Sequence, residues 1–554
     1  MSDWEIQYPD TMRNIMIPKL FFGEEAAEAE WARAEKPLDT FIHTESFKEF
    51  KRKEVLFLFG RRGTGKTSIM QMMKFEVNNK QIKEYSHCWM ISDEDVFHEL
   101  SINIRTSPLA QLPQKELNYI LKRKWRWILT IMAMRAVVDS SKIVPEELSV
   151  VVKYLNDQNI GANPVVNIIR LIEDELMNID YDITKMGGAI IKITRKMLSA
   201  DYDQASKALA SYLIKTNGKC LVLVDSIEEY DLKDDISRAV VTALIGATVE
   251  IYNSSSNNKV YCKVAFPSEI YPHFKSFNRE KVEGKNLFLL WQYGDLVSLM
   301  AKRYKHLLTI EESKPGRQIP PDLVESNGDL EDHSVAKKYI YNFLPKLIKT
   351  KSDIEFDTLA YIIRHTQKKP RQVIQIFNII CTLGENHKKG IFEIDSDLIV
   401  CGVHARIDLL VEGALDMYDK VYPRASSIIK KVMLGANSYF DYASLDQRLT
   451  KVKDLRDQAD LSREEVRRLL FESGVLGLKG KEHNFSNSNK SLWEGLFEYQ
   501  IKGTITFTPD TECLVHPMFY RDFQIKVNMN KFIYPIPQED EEKELLGKAG
   551  IKLA

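Results

Sequence analysis

The stretch FLFGRRGTGKTSIM, from Phe57 to Met70, decides the fold of this chain. Its glycines, lysine and threonine match the pattern GxxxxGK[ST]. The run EVLFLF before the loop has the length and apolarity of a buried parallel strand, and TSIMQMMKFEV after it has apolar residues at roughly helical spacing. This order of strand, loop and helix predicts a phosphate-binding loop.

The residue types of the loop suit a nucleoside triphosphate. Glycines let the backbone wind tightly and point amide N–H groups at phosphate oxygens, and the positive end of the following helix faces the same anion. We expect Lys66 to reach the β- and γ-phosphates and the Thr67 hydroxyl to ligate Mg²⁺. Arg61 and Arg62 are expected on the outer side of the loop. The predicted nucleotide-binding residues of the loop are Gly60, Arg62, Gly63, Thr64, Gly65, Lys66, Thr67 and Ser68.

A second run, KCLVLVDSIEEYDL from Lys219, supplies acidic residues. Its apolar part predicts a buried strand, so Asp225 lies at the carboxyl end of that strand, facing the phosphate crevice of a parallel sheet. We therefore predict that Asp225 supports the magnesium ion. Glu228 and Glu229 follow, close enough to orient or activate a water molecule. Spacing does not choose between these two glutamates, and a solvated helix start also explains them.

Together, GRRGTGKT and LVLVDSIEE resemble the nucleotide-binding core of AAA+ and STAND-type ATPases. The Asp-x-x-acid-acid order is similar to the DGLDE of NACHT-like members, and it differs from the AAA+ order DE because Ser226 follows Asp225. The resemblance implies ATP and Mg²⁺ as ligands and a slow, switch-like ATPase. It extends over about residues 20–390 to bacterial P-loop ATPases, and several relatives of these act in defence against phage.

The same resemblance implies three further residues of the nucleotide site. Ser268 follows the strand KVYCKVAF at the position of a polar sensor, with a plain strand end as the alternative. Arg279 matches an arginine finger that reaches a neighbouring subunit, with a solvated loop arginine as the alternative. Arg371 follows Pro370 at the start of an amphipathic helix and matches the sensor-two arginine of a lid. A proline suited to the first helical turn is the alternative there.

The interval between Lys66 and Asp225 is far longer than one crossing of a sheet needs, so we predict a helical insertion within it. The insertion contains LKRKWRWIL. Its basic residues and tryptophans suit phosphate contacts and base stacking in nucleic acid. A half-buried helix whose basic side chains reach solvent is the commoner explanation of such a stretch.

Beyond about Pro423, two short helices, a polar turn, a third helix and a strand pair resemble a winged helix. Ser462 with Glu465 is a helix-start signature. If the third helix enters DNA, its contacts are Arg463, Arg467 and Arg468. The glutamates of the same helix oppose that role, and a protein-facing regulatory arm is the alternative.

The predicted fold is α/β: a parallel-sheet P-loop NTPase core of AAA+/STAND type with a helical insertion, a helical lid and a C-terminal winged-helix domain. The predicted segments are an N-terminal segment 1–45, the ATPase core 46–92 and 209–291, the insertion 93–208, the lid 292–420, the winged-helix domain 421–533 and a mobile charged tail 534–554.

Composition predicts a cytoplasmic protein. The 77 Lys and Arg nearly cancel the 78 Asp and Glu, so no global field favours nucleic acid or membrane. The N-terminus lacks the order of a signal peptide, and the apolar run WILTIMAMRAVV is too short to cross a bilayer. The six cysteines are scattered singly, without metal-ligand spacing.

These observations predict an ATP-dependent molecular switch of STAND/AAA+ type. We expect a homo-oligomer if Arg279 is a finger, and a protein partner that supplies the biological output, because no nuclease, protease, deaminase or methyltransferase signature is present. The alternative is a DNA-binding initiator or transposition-type loader resembling the origin-recognition ATPases. A third hypothesis is a scaffold that binds ATP without hydrolysing it.

Overall fold

A computed structural model describes most of the chain, and the described residues form two compact units. The first comprises the described residues within 1–44, 62–65 and 290–554, and the second comprises those within 45–61 and 66–289. The described residues are 18–32, 38–92, 100–102, 104–106, 108–141, 143–158, 160, 199–225, 234–269, 271, 282, 284–314, 328–349, 355–386, 394–405, 407–485, 489–500, 508–528 and 530–537.

Strands and helices are interspersed along the described parts of the chain. The strands are β1 Phe57–Gly60, β2 His87–Ile91, β3 Cys220–Val224, β4 Val260–Pro267, β5 Asn286–Phe288, β6 Leu347–Lys349, β7 Glu355–Asp357, β8 Tyr439–Asp441, β9 Leu476–Asn484, β10 Ser491–Leu496, β11 Glu512–Val515 and β12 Lys531–Pro535. The α-helices are α1 Ala27–Trp31, α2 Glu45–Phe50, α3 Lys66–Asn78, α4 Gln114–Asp139, α5 Ser149–Asp157, α6 Ala200–Lys215, α7 Asp235–Asn258, α8 Tyr293–Glu312, α9 His333–Ile340, α10 Thr358–Arg364, α11 Pro370–Asn386, α12 Ser396–Ala405, α13 Ile407–Val421, α14 Ala425–Met433, α15 Tyr442–Lys451, α16 Lys453–Gln458 and α17 Arg463–Glu472.

The second unit is built on a parallel sheet of five strands in the order β2-β3-β4-β1-β5. Strands β1, β3 and β4 are buried along their whole length, as expected for apolar runs covered on both faces. The loop of the opening stretch follows β1, between the neighbouring strands β4 and β5. The predicted α/β fold with a parallel P-loop core is therefore confirmed.

Helix α4 packs in the same hydrophobic core as the sheet. It contains the KRKWRW stretch, in which Trp125 is fully buried and donates its indole N–H to the Val240 carbonyl at 3.1 Å. Trp127 donates to the Tyr154 hydroxyl at 3.0 Å. Because both rings lie inside the core, the interpretation of this stretch as a nucleic-acid surface is wrong. The buried-helix explanation is correct for the tryptophans, whereas Lys124 is only 1% exposed and does not reach solvent as that explanation expected. The buried helix also accounts for the apolar run WILTIMAMRAVV.

The first unit has a helical part and a C-terminal sheet. Helices α8 to α14 share one hydrophobic core with the sheet β12-β10-β9-β11-β8. Helix α17 begins with a reciprocal capping box between Ser462 and Glu465, which confirms the helix start predicted from these two residues. Within the described ranges, no helix is both long enough and apolar enough to span a membrane.

Arg467 lies in the interior of the C-terminal part of the first unit. Its side chain is paired with Asp446 at 2.5 Å and Glu464 at 3.0 Å, and its guanidinium lies 4.4 Å from the centre of the Tyr442 ring. The expectation that Arg467 contacts DNA is therefore wrong, because these contacts turn the side chain inward. On the same helix, Arg463 is paired with Asp446 at 2.7 Å, while Arg468 is exposed.

The first unit contains two buried histidines whose pKa values are lowered. His365 and His404 are both buried, with their rings 5.3 Å apart. Burial, together with the nearby cation of Arg364, holds the pKa of His365 well below its usual range. Burial, with Arg521 as the next cause, lowers the pKa of His404 to about 3. Both imidazoles are therefore neutral in the folded chain at neutral pH.

We expect the chain to lose stability in mild acid because of these histidines. Below the unfolded pKa of about 6.5 the unfolded chain takes up protons that the folded chain excludes, so stability present above this pH is lost as the pH falls. Each histidine is expected to lower the free energy of unfolding by roughly 2 kcal/mol between about pH 6.5 and about pH 5. Urea unfolding at the two pH values measures this loss. His404→Gln should reduce it, and an unchanged pH dependence would contradict the assignment.

Candidate nucleotide site

The loop after β1 has the backbone that its glycines predict. Gly63 and Gly65 have φ angles of +84° and +87°, in the left-handed region that glycine adopts without strain. Helix α3 begins at Lys66 directly after the loop. The Lys66 ammonium donates to the carbonyls of Gly60 at 3.0 Å and Arg61 at 3.4 Å, so the cation lies within the loop. A helix N-terminus, glycine amides and one cation together suit a bound polyphosphate.

The remaining loop residues differ in exposure. Arg62 is exposed, as expected for the outer side of the loop. Arg61 is only 5% exposed, so its predicted outer position is wrong. Arg61 directly follows β1. Because its neighbour Gly60 is paired with Pro267 of β4, Arg61 remains at the buried end of the sheet. Thr64 is buried as well, and Thr67 and Ser68, in the first turn of α3, are half-buried.

Asp225 lies at the same edge of the sheet as the start of the loop. It follows β3, is 1% exposed, and donates its backbone N–H to the Ile91 carbonyl at 2.9 Å. Strand β4 lies between β3 and β1, so the carboxyl ends of β3 and β1 are about 10 Å apart. Glu228 and Glu229 lie outside the described residues.

The donor atoms at this edge fit a magnesium ion. The Thr67 hydroxyl and the Asp225 carboxylate both belong to the second unit and offer oxygen ligands, which Mg²⁺ prefers. Asp225 is buried at the edge where the loop begins, and Thr67 lies at the N-terminal end of α3. This donor set would hold Mg²⁺ against a phosphate oxygen.

Ser268 follows β4 at the same edge and is half-buried. Because Pro267 is in register with Gly60, Ser268 lies next to the start of the loop that follows Gly60. This placement agrees with a polar side chain near the phosphate-binding residues. Arg279, the predicted arginine finger, lies outside the described residues.

Arg371 contacts the tip of the loop. It is the second residue of α11, and its backbone N–H donates to the Gly63 carbonyl at 3.4 Å. A Cβ atom at Gly63 would lie 3.3 Å from the Cβ of Arg371, which shows how closely the two backbones approach. The Arg371 guanidinium donates to the Glu25 carbonyl at 3.1 Å. The residue predicted as sensor two is thus in direct contact with the loop.

Trp291 and Glu25 also belong to this site and were not predicted from the sequence. The Trp291 indole N–H donates to the Thr64 carbonyl at 2.8 Å, and its ring lies 3.9 Å from the position of a Cβ on Gly65. Glu25 accepts from Arg371 through its carbonyl and from Gln375 through its carboxylate, the latter at 2.6 Å. Trp291 ends the apolar run NLFLLW, and only that position after a predicted strand pointed to the site.

Comparison with known proteins gives one family. A family model described as ORC-CDC6-like matches residues 25–88, which include Glu25, β1, the loop and α3. No curated protein matches the chain.

Three solved structures are similar to the chain at low identity. The ORC2 protein of Aeropyrum pernix, solved as ADPNP-ADP complexes, is 10% identical with a TM-score of 0.35, over 96% of this chain and 97% of that chain. Its ADP form is 12% identical with a TM-score of 0.30 over the same shares, 96% and 97%. CDC6P from Pyrobaculum aerophilum is 9% identical with a TM-score of 0.18, over 75% of this chain and 98% of that chain.

Proposed function

We propose that this protein is a molecular switch of AAA+ type that binds and hydrolyses ATP. The observation that carries the proposal is the loop: two left-handed glycines lead into a helix whose first residue, Lys66, places its ammonium within the loop. The loop follows a central strand of a parallel sheet, where phosphates bind at helix N-termini.

Each residue of the site has a proposed role. Lys66 contacts the β- and γ-phosphates, with the amides of Gly60, Arg62, Gly63, Thr64 and Gly65 and the hydroxyl of Ser68 around them. Thr67 and Asp225 hold Mg²⁺, which neutralises the charge that develops on the phosphates. Glu228 or Glu229 positions the attacking water molecule. Ser268 and Arg371 sense the γ-phosphate, and Arg279 acts on a neighbouring subunit of a homo-oligomer.

The family-model match favours the ORC-CDC6-like branch of these ATPases over the STAND branch. It spans Glu25, which accepts a hydrogen bond from Arg371, and the loop that Arg371 contacts. A protein effector partner and a role in phage defence belong to the proposal only if the chain is a STAND-type switch. The same match supports a second candidate function, a DNA-binding initiator.

Arg371→Ala is expected to lower ATP turnover about tenfold, because it removes a cation held beside the loop. Gln375→Ala is the matched control: Gln375 lies one turn further along α11 and also bonds Glu25, and its bond goes to the carboxylate. Steady-state turnover of both variants measures the difference. Equal turnover in the two variants would show that Arg371 only positions Glu25 and does not act on the nucleotide.

In the second candidate function, a DNA-binding initiator, a winged-helix domain at 421–533 binds the DNA. There, α15, α16 and α17 precede the antiparallel strands β9 and β10. Arg468 is exposed on α17, and Lys481 is exposed on β9. These two side chains replace the inward-facing Arg467 as the proposed phosphate contacts.

Arg468→Glu/Lys481→Glu is expected to weaken binding of duplex DNA at least about tenfold, since phosphate contacts dominate such affinity. Fluorescence anisotropy at two salt concentrations measures this loss, and affinity should fall as salt rises. Lys115→Glu/Lys153→Glu, which reverses two exposed lysines of the other unit, controls for the same change of net charge. DNA affinity that is independent of salt, or equal in both variants, would contradict the DNA-binding proposal.

A further inference from the structure

Strand β2 is the outer strand of the parallel sheet. Within the described part of the chain it pairs only with β3. The His87 N–H donates to the Lys219 carbonyl, and the Ile91 carbonyl accepts from the Asp225 N–H. Since backbone direction alternates along a strand, the odd-numbered residues point their amide groups at β3. The N–H and C=O groups of Cys88 and Met90 therefore point outward, where a further strand would pair.

A groove of 960 Å³ runs along this outer edge. Residues 85–90 form its floor, and the C-terminal ends of α3 and α4 form its walls. Trp89 and Tyr212 supply aromatic surface within the groove, and Ile143, which is 86% exposed, stands at its rim. The groove is thus both open and partly apolar.

The walls of the groove carry net positive charge. Lys74, Lys80 and Lys83 line it, and none of the three forms an ion pair with another described residue. The one lining carboxylate, that of Asp139, is paired with Arg135 at 3.0 Å. Lys74 lies on α3 before its last turn, and Lys80 and Lys83 both lie beyond the end of the helix at Asn78.

We propose that this groove binds an extended acidic segment of a partner protein, which adds a strand to β2. Outward backbone groups provide the pairing, and the lysines select acidic side chains. A second copy of this chain is disfavoured, because two β2 edges would bring the same lysines together. Duplex DNA would use the lysines and leave the backbone of β2 unpaired. The inference concerns a surface separate from the nucleotide loop and does not depend on ATP turnover.

A model peptide tests the proposal on the 554-residue chain. Fluorescein-labelled Glu-Val-Glu-Val-Glu-Val is expected to bind saturably in an anisotropy titration, whereas the Lys-Val analogue is not. Lys80→Glu/Lys83→Glu should weaken binding of the acidic peptide at least about tenfold through like-charge repulsion. Lys115→Glu/Lys153→Glu, which reverses two exposed lysines outside the groove, should bind as the wild type does.

Hydrogen exchange separates strand addition from simple charge attraction. With the peptide bound, exchange of the Cys88 and Met90 amides should slow at least about tenfold, as expected for newly paired amides. Peptide binding without this protection would overturn the proposal, as would absence of binding. Equal weakening by the two double variants would also overturn it. Displacement of the peptide by duplex DNA would instead identify the groove as a nucleic-acid surface and contradict the proposal.

Discussion

Replacing Lys66 with alanine is expected to lower ATP hydrolysis at least about 100-fold. The Lys66 ammonium is only slightly exposed and lies within the loop, bonded to the Gly60 carbonyl at 3.0 Å. Without Lys66, no fixed cation faces the phosphates when negative charge shifts between their oxygens during the reaction. A fixed cation stabilises such charge most strongly in a site that excludes water. Phosphate release under saturating ATP measures the effect.

Lys207→Ala is the matched control for this variant. Lys207 lies on α6 of the same unit, is exposed, and pairs only one turn away with Asp203 at 2.7 Å. Its replacement should leave turnover within about twofold of the wild type, since exposed ion pairs contribute little. Turnover of Lys66→Ala at the wild-type rate, with both proteins folded by circular dichroism, would contradict the proposed site.

Replacing Asp225 with asparagine is expected to lower turnover about 100-fold and to raise the magnesium concentration needed for half-maximal rate. The substitution keeps the size of a side chain that is 1% exposed, so packing at the end of β3 is retained. The variant loses a negatively charged oxygen ligand. Because Mg²⁺ in such sites is held by only one or two carboxylates and the phosphates, losing one carboxylate weakens its binding strongly. A magnesium titration of the hydrolysis rate separates this loss from a general loss of folding.

Asp203→Asn serves as the neutralised control, because Asp203 is an exposed residue on α6. Its magnesium dependence should equal that of the wild type. If Asp225→Asn also shows an unchanged magnesium dependence, Asp225 does not support the metal. The role would then pass to Glu228 or Glu229, which follow it along the chain.

The core of the site could be predicted from sequence because its signals are local. The continuous apolar runs before Gly60 and Asp225 allow only buried strands in a chain with this loop, and the structure has β1 and β3 there. Two glycines at fixed spacing from a lysine similarly determine the loop, since left-handed backbone at Gly63 and Gly65 disfavours other residues. Such features depend on neighbours within a few positions.

Features that depend on distant residues could not be predicted in the same way. Helical periodicity shows which residues of α4 share a face but not which face packs against the sheet. Trp125, which is buried, could therefore be mistaken for a base-stacking residue. Arg467 looked like a free cation until the structure showed Asp446, from α15, beside it. Trp291 reaches Thr64 across a long stretch of chain, and no spacing rule predicts that bond.

Calorimetric titration of the protein with ATP in the presence of Mg²⁺ tests directly whether the loop binds nucleotide. We expect saturable binding of one nucleotide per chain, weakened at least about 100-fold in Lys66→Ala and unchanged in Lys207→Ala. Absence of binding by the wild type, or equal binding by Lys66→Ala, would contradict it.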